Sequence, residues 1–144
     1  DTSRRNPRDY TMERMYPHTG TLPRQDDRYN TVRYRYGFMP CPDPDSSDKL
    51  GYNSCVARFD NQTRETRLYK GTASTVMSEF CFAPRNASAG EGDGYLVGVA
   101  TRLDRGGLRE LLILDAQKPD AGPIATVHLP VHIVGQVHGW WVPG

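Results

Sequence analysis

Polar and apolar residues alternate along this chain in short runs, and no stretch repeats apolar positions at helical spacing over a normal helix length. In RYNTVRYRYGFMP, from Arg28, β-branched and aromatic residues take turns with polar ones, which predicts a strand carrying Val32, Tyr34 and Tyr36 on one face. PCPDPDSSDKLGYN then concentrates turn formers and reads as a surface loop. SCVARFD and TRLYKG are predicted to form a hairpin across the polar DNQTRE, and EFCFAPR is a further short strand ended by proline and followed by the flexible NASAGEGDG. GYLVGVATRLDRGGLRELLILDA holds two apolar strands, Tyr95 to Leu103 and Leu108 to Asp115, around the turn DRGG, whose glycines tolerate positive φ. GPIATVHLP supplies another strand and VHIVGQVHGWW the last. Residues 1 to 27 carry little periodicity, and a single helical turn is expected at Thr11 to Met15. Short strands separated by turn signals predict an all-β fold, as a sandwich, barrel or propeller, with no sharp tandem repeat to choose among them.

Composition narrows the reading. Apolar residues make up 37% of the 144 positions, and 14 Gly and 11 Pro imply many turns. Eighteen basic and 17 acidic side chains are mixed along the chain, giving a net charge of +1, so the basic patch of a nucleic-acid binder is missing and no nucleic-acid partner is expected. No apolar run approaches the roughly 20 residues that span a bilayer, so no membrane span is expected. Cys41, Cys55 and Cys81 are odd in number and follow no metal spacing, which argues against a disulfide framework or structural zinc and for a reducing, cytoplasmic setting. The chain opens at Asp1 without an initiator methionine and closes on the bulky GQVHGWWVPG, and both features suggest part of a longer polypeptide.

Candidate chemistry is sparse. His128, His132 and His138 lie close together, but Pro130 and Gly135 interrupt the strand, and same-face neighbours about 7 Å apart on one strand cannot wrap an ion. His128 and His132 read as solvent-facing, and His18, beside Pro17, as a loop histidine. His138 reads as a partly buried histidine satisfied by backbone beside Trp140 and Trp141, with metal ligation as the alternative. Glu79 opens EFCFAPR in an apolar setting where a carboxylate needs a partner, unless it faces solvent. The chain has no P-loop, G-x-S-x-G, C-x-x-C or H-E-x-x-H motif.

TLPRQDDRYNTVRYRYGFM, SEFCFAPR, EGDGYLVGV followed by LLILDAQKPDAGPIATVHLP, and VHGWWVP, in that order, resemble the C-terminal part of the carotenoid cleavage oxygenase family. The tone is that of the branch containing lignostilbene dioxygenases and isoeugenol monooxygenases. The resemblance implies an all-β fold, the C-terminal blades and closing strand of a seven-bladed β-propeller, with residues 1–144 as the C-terminal part of one oxygenase domain completed by an N-terminal part of the same protein. It implies one Fe(II) held by four histidines from different blades, the last at His138 and the other three upstream. It also implies that Glu79 holds a ligand imidazole from behind. His128 and His132 fall where relatives carry basic residues. Thr21 stands where relatives often have a glutamate, and Phe80 where they have proline after Glu79.

The implied activity is O₂-dependent cleavage of a conjugated C=C bond in a phenylpropanoid or stilbene to two carbonyl products. The small-molecule partners are then an aromatic alkene and O₂, and a homo-oligomer is compatible with this reading. Three other readings stand beside it: an apocarotenoid-cleaving dioxygenase, a non-catalytic β-propeller binding module in which His138 and Glu79 are structural, and a zinc hydrolase using the late histidines.

Overall fold

The computed structural model describes residues 12–47, 52–131, 133 and 137–144. Among them there is no α-helix; the chain forms two four-stranded antiparallel sheets, each a meander whose strands neighbour one another in chain order. The first sheet comprises β1 (Arg24–Gln25), β2 (Tyr36–Cys41), β3 (Cys55–Asp60) and β4 (Thr66–Lys70), and the second β5 (Thr75–Pro84), β6 (Gly94–Arg102), β7 (Leu108–Asp115) and β8 (Pro123–His128). Such a four-stranded meander is the form of a propeller blade.

The predicted hairpins form where expected. β3 and β4 pair across residues 61–65, where Arg64 takes a φ of 65°. β6 and β7 pair in unbroken register from Tyr95↔Asp115 to Arg102↔Leu108, closed by Gly106 and Gly107 at φ of 66° and 81°. Several expectations differ. The strand from Arg28 starts only at Tyr36: Asp26 accepts the Arg28 N–H to shape a 3₁₀ turn at Asp27–Tyr29, Thr31 sits at a φ of 69°, and the N–H groups of Arg35 and Tyr36 donate to the Glu91 carboxylate. Val32 and Tyr34 are consequently exposed. That strand also runs on through Pro40 and Cys41, a proline tolerated because its would-be partner β1 stops short of it. Thr11 lies outside the described residues, and positions 12–15 are not helical.

The last predicted strand, VHIVGQVHGWW, is not paired among its described residues, and His132 and residues 134–136 lie outside them. The described part has another use for its backbone, because the Gly139 N–H is taken by a side chain.

One core lies between the sheets. Phe38 and Val56 from the first meet Met77, Phe80, Phe82, Leu96, Leu112 and Leu114 from the second. Phe38 and Phe82 stack with ring planes 4° apart and centroids 5.7 Å apart. A second cluster of Tyr16, Cys41, Cys55, Ala57 and Phe59 covers the other face of the first sheet, so β3 is buried on both faces. Its charged residues have partners within the fold, although Arg58 Nε is buried without a hydrogen bond: Arg58 lies 4.5 Å over the Tyr36 ring and its Nη2 3.8 Å from Asp60 Oδ2, and Asp60 accepts from Arg35 Nε and Nη2 at 3.0 and 2.8 Å and from the N–H groups of Gln62 and Thr63.

Burial alone would raise the Asp60 pKa, but the Arg35 guanidinium and these backbone donors outweigh it and hold the carboxyl well below the usual range. A carboxyl whose folded pKa is depressed contributes stability above its unfolded value, about 3.9, and loses it as pH falls further. Asp60→Asn should therefore destabilise the intact protein by about 3 kcal/mol near neutral pH, since Arg58 and Arg35 lose their shared anion. It should also flatten the stability loss of wild type below pH ~4. Urea titrations at several pH values check both.

Candidate metal-ligand site

The site begins with an irregularity in β5. Met77 faces Ala100 and Phe80 faces Gly98, so Ser78 and Glu79 together oppose Val99. This β-bulge lets Met77 and Phe80, three residues apart, both enter the core, and it turns Glu79 out of the ladder's regular alternation. Gly98 is needed opposite: a Cβ there would come within 2.6 Å of the Phe80 ring and 2.8 Å of the Glu79 carbonyl oxygen.

Glu79 is buried, its side chain only 4% exposed. Its carboxylate receives the last described residues. Gly139 N–H donates to Oε2 at 2.5 Å, and Oε1 lies 3.4 Å from His138 Nδ1 and 3.8 Å from Arg24 Nε. His138 itself is 73% exposed, not partly buried as the sequence suggests. In the tautomer whose Nδ1–H donates to Glu79, the Nε2 lone pair would be free to meet a cation. Cys81, two residues along β5, lies beneath: a Cβ on Gly139 would meet its Sγ at 3.1 Å.

The other predicted residues are elsewhere. His128, on the outer strand β8, has its Nδ1 3.3 Å from Glu110 Oε1, with its side chain 63% exposed. His18 is exposed and packs edge-on against Tyr16, centroids 5.5 Å apart. Thr21 accepts from Asn53 Nδ2 at 2.7 Å and donates its N–H to the Pro40 carbonyl, so it faces the first sheet's loops. Among the described residues no three His, Cys, Asp or Glu side chains cluster to hold a metal ion. Sequence reasoning quoted Arg24 within TLPRQDD but gave it no role, because only the fold brings β1 beside β5.

The family model described as retinal pigment epithelial membrane protein matches residues 1–143, and the chain belongs to this family, the carotenoid cleavage oxygenases its motifs resemble. It is 36% identical over 137 residues to an isoeugenol monooxygenase of Pseudomonas nitroreducens, covering 90% of this chain and 28% of that protein. Among solved structures it resembles the lignostilbene dioxygenase of Pseudomonas brassicacearum, with a TM-score of 0.84 and 28% identity over 90% of this chain and 28% of the other. It also resembles a cobalt-substituted Synechocystis ACO, with a TM-score of 0.79 and 26% identity over 90% of this chain and 26% of the other. The two sheets are thus blades of a β-propeller, and the chain spans between a quarter and a third of the length of these relatives. Among the described residues no helix is long and apolar enough to cross a membrane.

The three thiols, of which Cys81 adjoins the site and Cys41 and Cys55 lie in the second cluster, are quiet. Burial pushes the Cys81 thiol up against the pull of Arg24, pushes Cys41 up despite its hydrogen bond from Tyr16, and pushes Cys55 up to about 11. Peptide mapping after iodoacetamide treatment of the native protein at pH 7.5 should find these three positions unmodified, and all three alkylated after denaturation.

Proposed function

We propose that residues 1–144 form the C-terminal part of a single β-propeller domain of a non-haem Fe(II) oxygenase, in which His138 is an iron ligand and Glu79 holds its imidazole. The reaction is cleavage of the conjugated C=C bond of a phenylpropanoid or stilbene, with one oxygen atom of O₂ ending on each carbon as two carbonyl groups. The observation that carries the reading is the His138 and Glu79 pair: an exposed imidazole whose Nδ1 meets a buried carboxylate, with Nε2 without a partner among the described residues. A neutral imidazole held in this way suits Fe(II), and a carboxylate kept behind it leaves the metal its positive charge. Iron, when bound, supplies activation of O₂. This chain's residues supply one donor, its tautomer and its orientation; the remaining ligands and the substrate cavity belong to the N-terminal part of the same protein. The likeness to an isoeugenol monooxygenase and a lignostilbene dioxygenase favours an aromatic alkene over an apocarotenoid as substrate. Three buried free thiols suit a reducing cytoplasm.

In the full-length protein, His138→Ala should abolish both bound iron and alkene cleavage, and Glu79→Gln should weaken iron binding about 10- to 100-fold. His128→Ala, on an exposed outer strand, should stay within about twofold of wild type in both. Metal analysis and oxygen consumption with isoeugenol and a 4-hydroxystilbene check these outcomes, and normal cleavage by His138→Ala would sink the assignment.

A further inference from the structure

Arg24 reaches from the first sheet into the site of the second. Its backbone is fixed in β1 by pairing with Phe38, and its side chain is 15% exposed. Nη2 donates to the Gly139 carbonyl oxygen at 3.1 Å, the guanidinium carbon lies 4.7 Å over the Trp140 ring, and Nη2 lies 3.7 Å from Asp27 Oδ2. Nε stands 3.8 Å from Glu79 Oε1, buried and with no hydrogen-bond partner. One planar, permanently charged group therefore touches the carboxylate behind His138 and both residues that follow it.

The arrangement closes a ring of contacts. Glu79 holds the Gly139 N–H from one side and Arg24 holds the Gly139 carbonyl from the other, while the Trp140 ring stacks on the guanidinium. The two peptide groups that flank the Gly139 Cα are thereby tied to different sheets, and the orientation of His138 follows from the backbone that carries it. The unpaired Nε–H, facing the same Oε1 that meets His138 Nδ1, is the donor that would fix this oxygen if the gap closed by a few tenths of an ångström.

We propose that Arg24 is the positioning residue of the metal-ligand pair: it sets the Glu79 carboxylate and locks residues 139–140, so that His138 is presented in one orientation. This rests on the reading of His138 as an iron ligand. Arg24 acts through Glu79 and the backbone and does not touch the metal or substrate.

The test uses the full-length protein with Arg24→Met, Arg24→Lys and His138→Ala. Two readouts are taken: Fe(II) affinity by chelator competition, and hydrogen exchange of the metal-free protein, comparing residues 137–144 with β6 and β7. Arg24→Met should lower iron affinity about 10-fold, by analogy with other outer partners of ligating histidines, and speed exchange in residues 137–144 while β6 and β7 keep wild-type protection. Arg24→Lys keeps the cation but not the flat fork, and should fall between the two. Unchanged affinity and exchange in Arg24→Met, with iron still lost in His138→Ala, would overturn the role of Arg24 alone. Iron retained by His138→Ala would overturn the ligand reading, and the role of Arg24 with it. If Arg24→Met also loosens β6 and β7, Arg24→Lys decides: weakened iron binding on an intact sheet upholds the proposal, and wild-type binding overturns it.

Discussion

The burial of the Glu79 carboxylate is the constraint around which the rest is arranged. An isolated carboxylate taken out of water costs several kcal/mol, and a protein tolerates it only where donors or cations converge. Here three partners come from two distant parts of the chain: Arg24 from one, and the Gly139 N–H and the His138 ring from the other. None of these contacts is local, so the carboxylate can be satisfied only when both sheets and residues 138–139 are in place. In that sense the group that prepares the candidate ligand also selects the fold that delivers it.

What keeps those parts together is apolar packing. Phe38, Val56, Phe82, Leu96 and Leu114 are almost wholly inaccessible, and each such side chain contributes about 1.5–3 kcal/mol of transfer free energy. The Phe38 and Phe82 stack is also a spacer: Phe38 pairs with Arg24 across β1 and β2, and Phe82 lies three residues beyond Glu79 on β5. Fixing the distance between those rings fixes the distance between the cation and the carboxylate. The bulge at Ser78 and Glu79 completes the fit, because strict alternation through β5 could not bury both Met77 and Phe80 on one face.

Much of this was legible beforehand and some was not, for identifiable reasons. The hairpins at 61–65 and 103–107 were marked by their own turn residues, and strand existence by alternation, so local chemistry sufficed. Val32 and Tyr34 kept the alternation of a strand but not the pairing, because a capped turn and the Glu91 carboxylate took their surroundings. Glu79 and His138 were recognisable through motifs, but the bulge that aims the first depends on pairing with Gly98 and Ala100 of β6, and the meeting of the two on a contact 59 residues apart. Arg24 is the extreme case: it stood inside the quoted stretch TLPRQDD with no role assigned, and its contacts with Glu79 and Gly139 are with residues more than 50 positions away.

The unequal exposure of the pair, 4% for Glu79 and 73% for His138, follows from what each must do in the proposed site. A carboxylate that only orients an imidazole works best where water cannot compete for its oxygens, so it is sunk beside a guanidinium and a backbone N–H. An imidazole that must share an ion with ligands from other blades needs open space at Nε2, and a wall of this chain's own side chains there would exclude them. Closing the ring behind the histidine while leaving its front clear places all the rigidity on one side of the donor. Orientation, and not enclosure, is the contribution these contacts make to the proposed site.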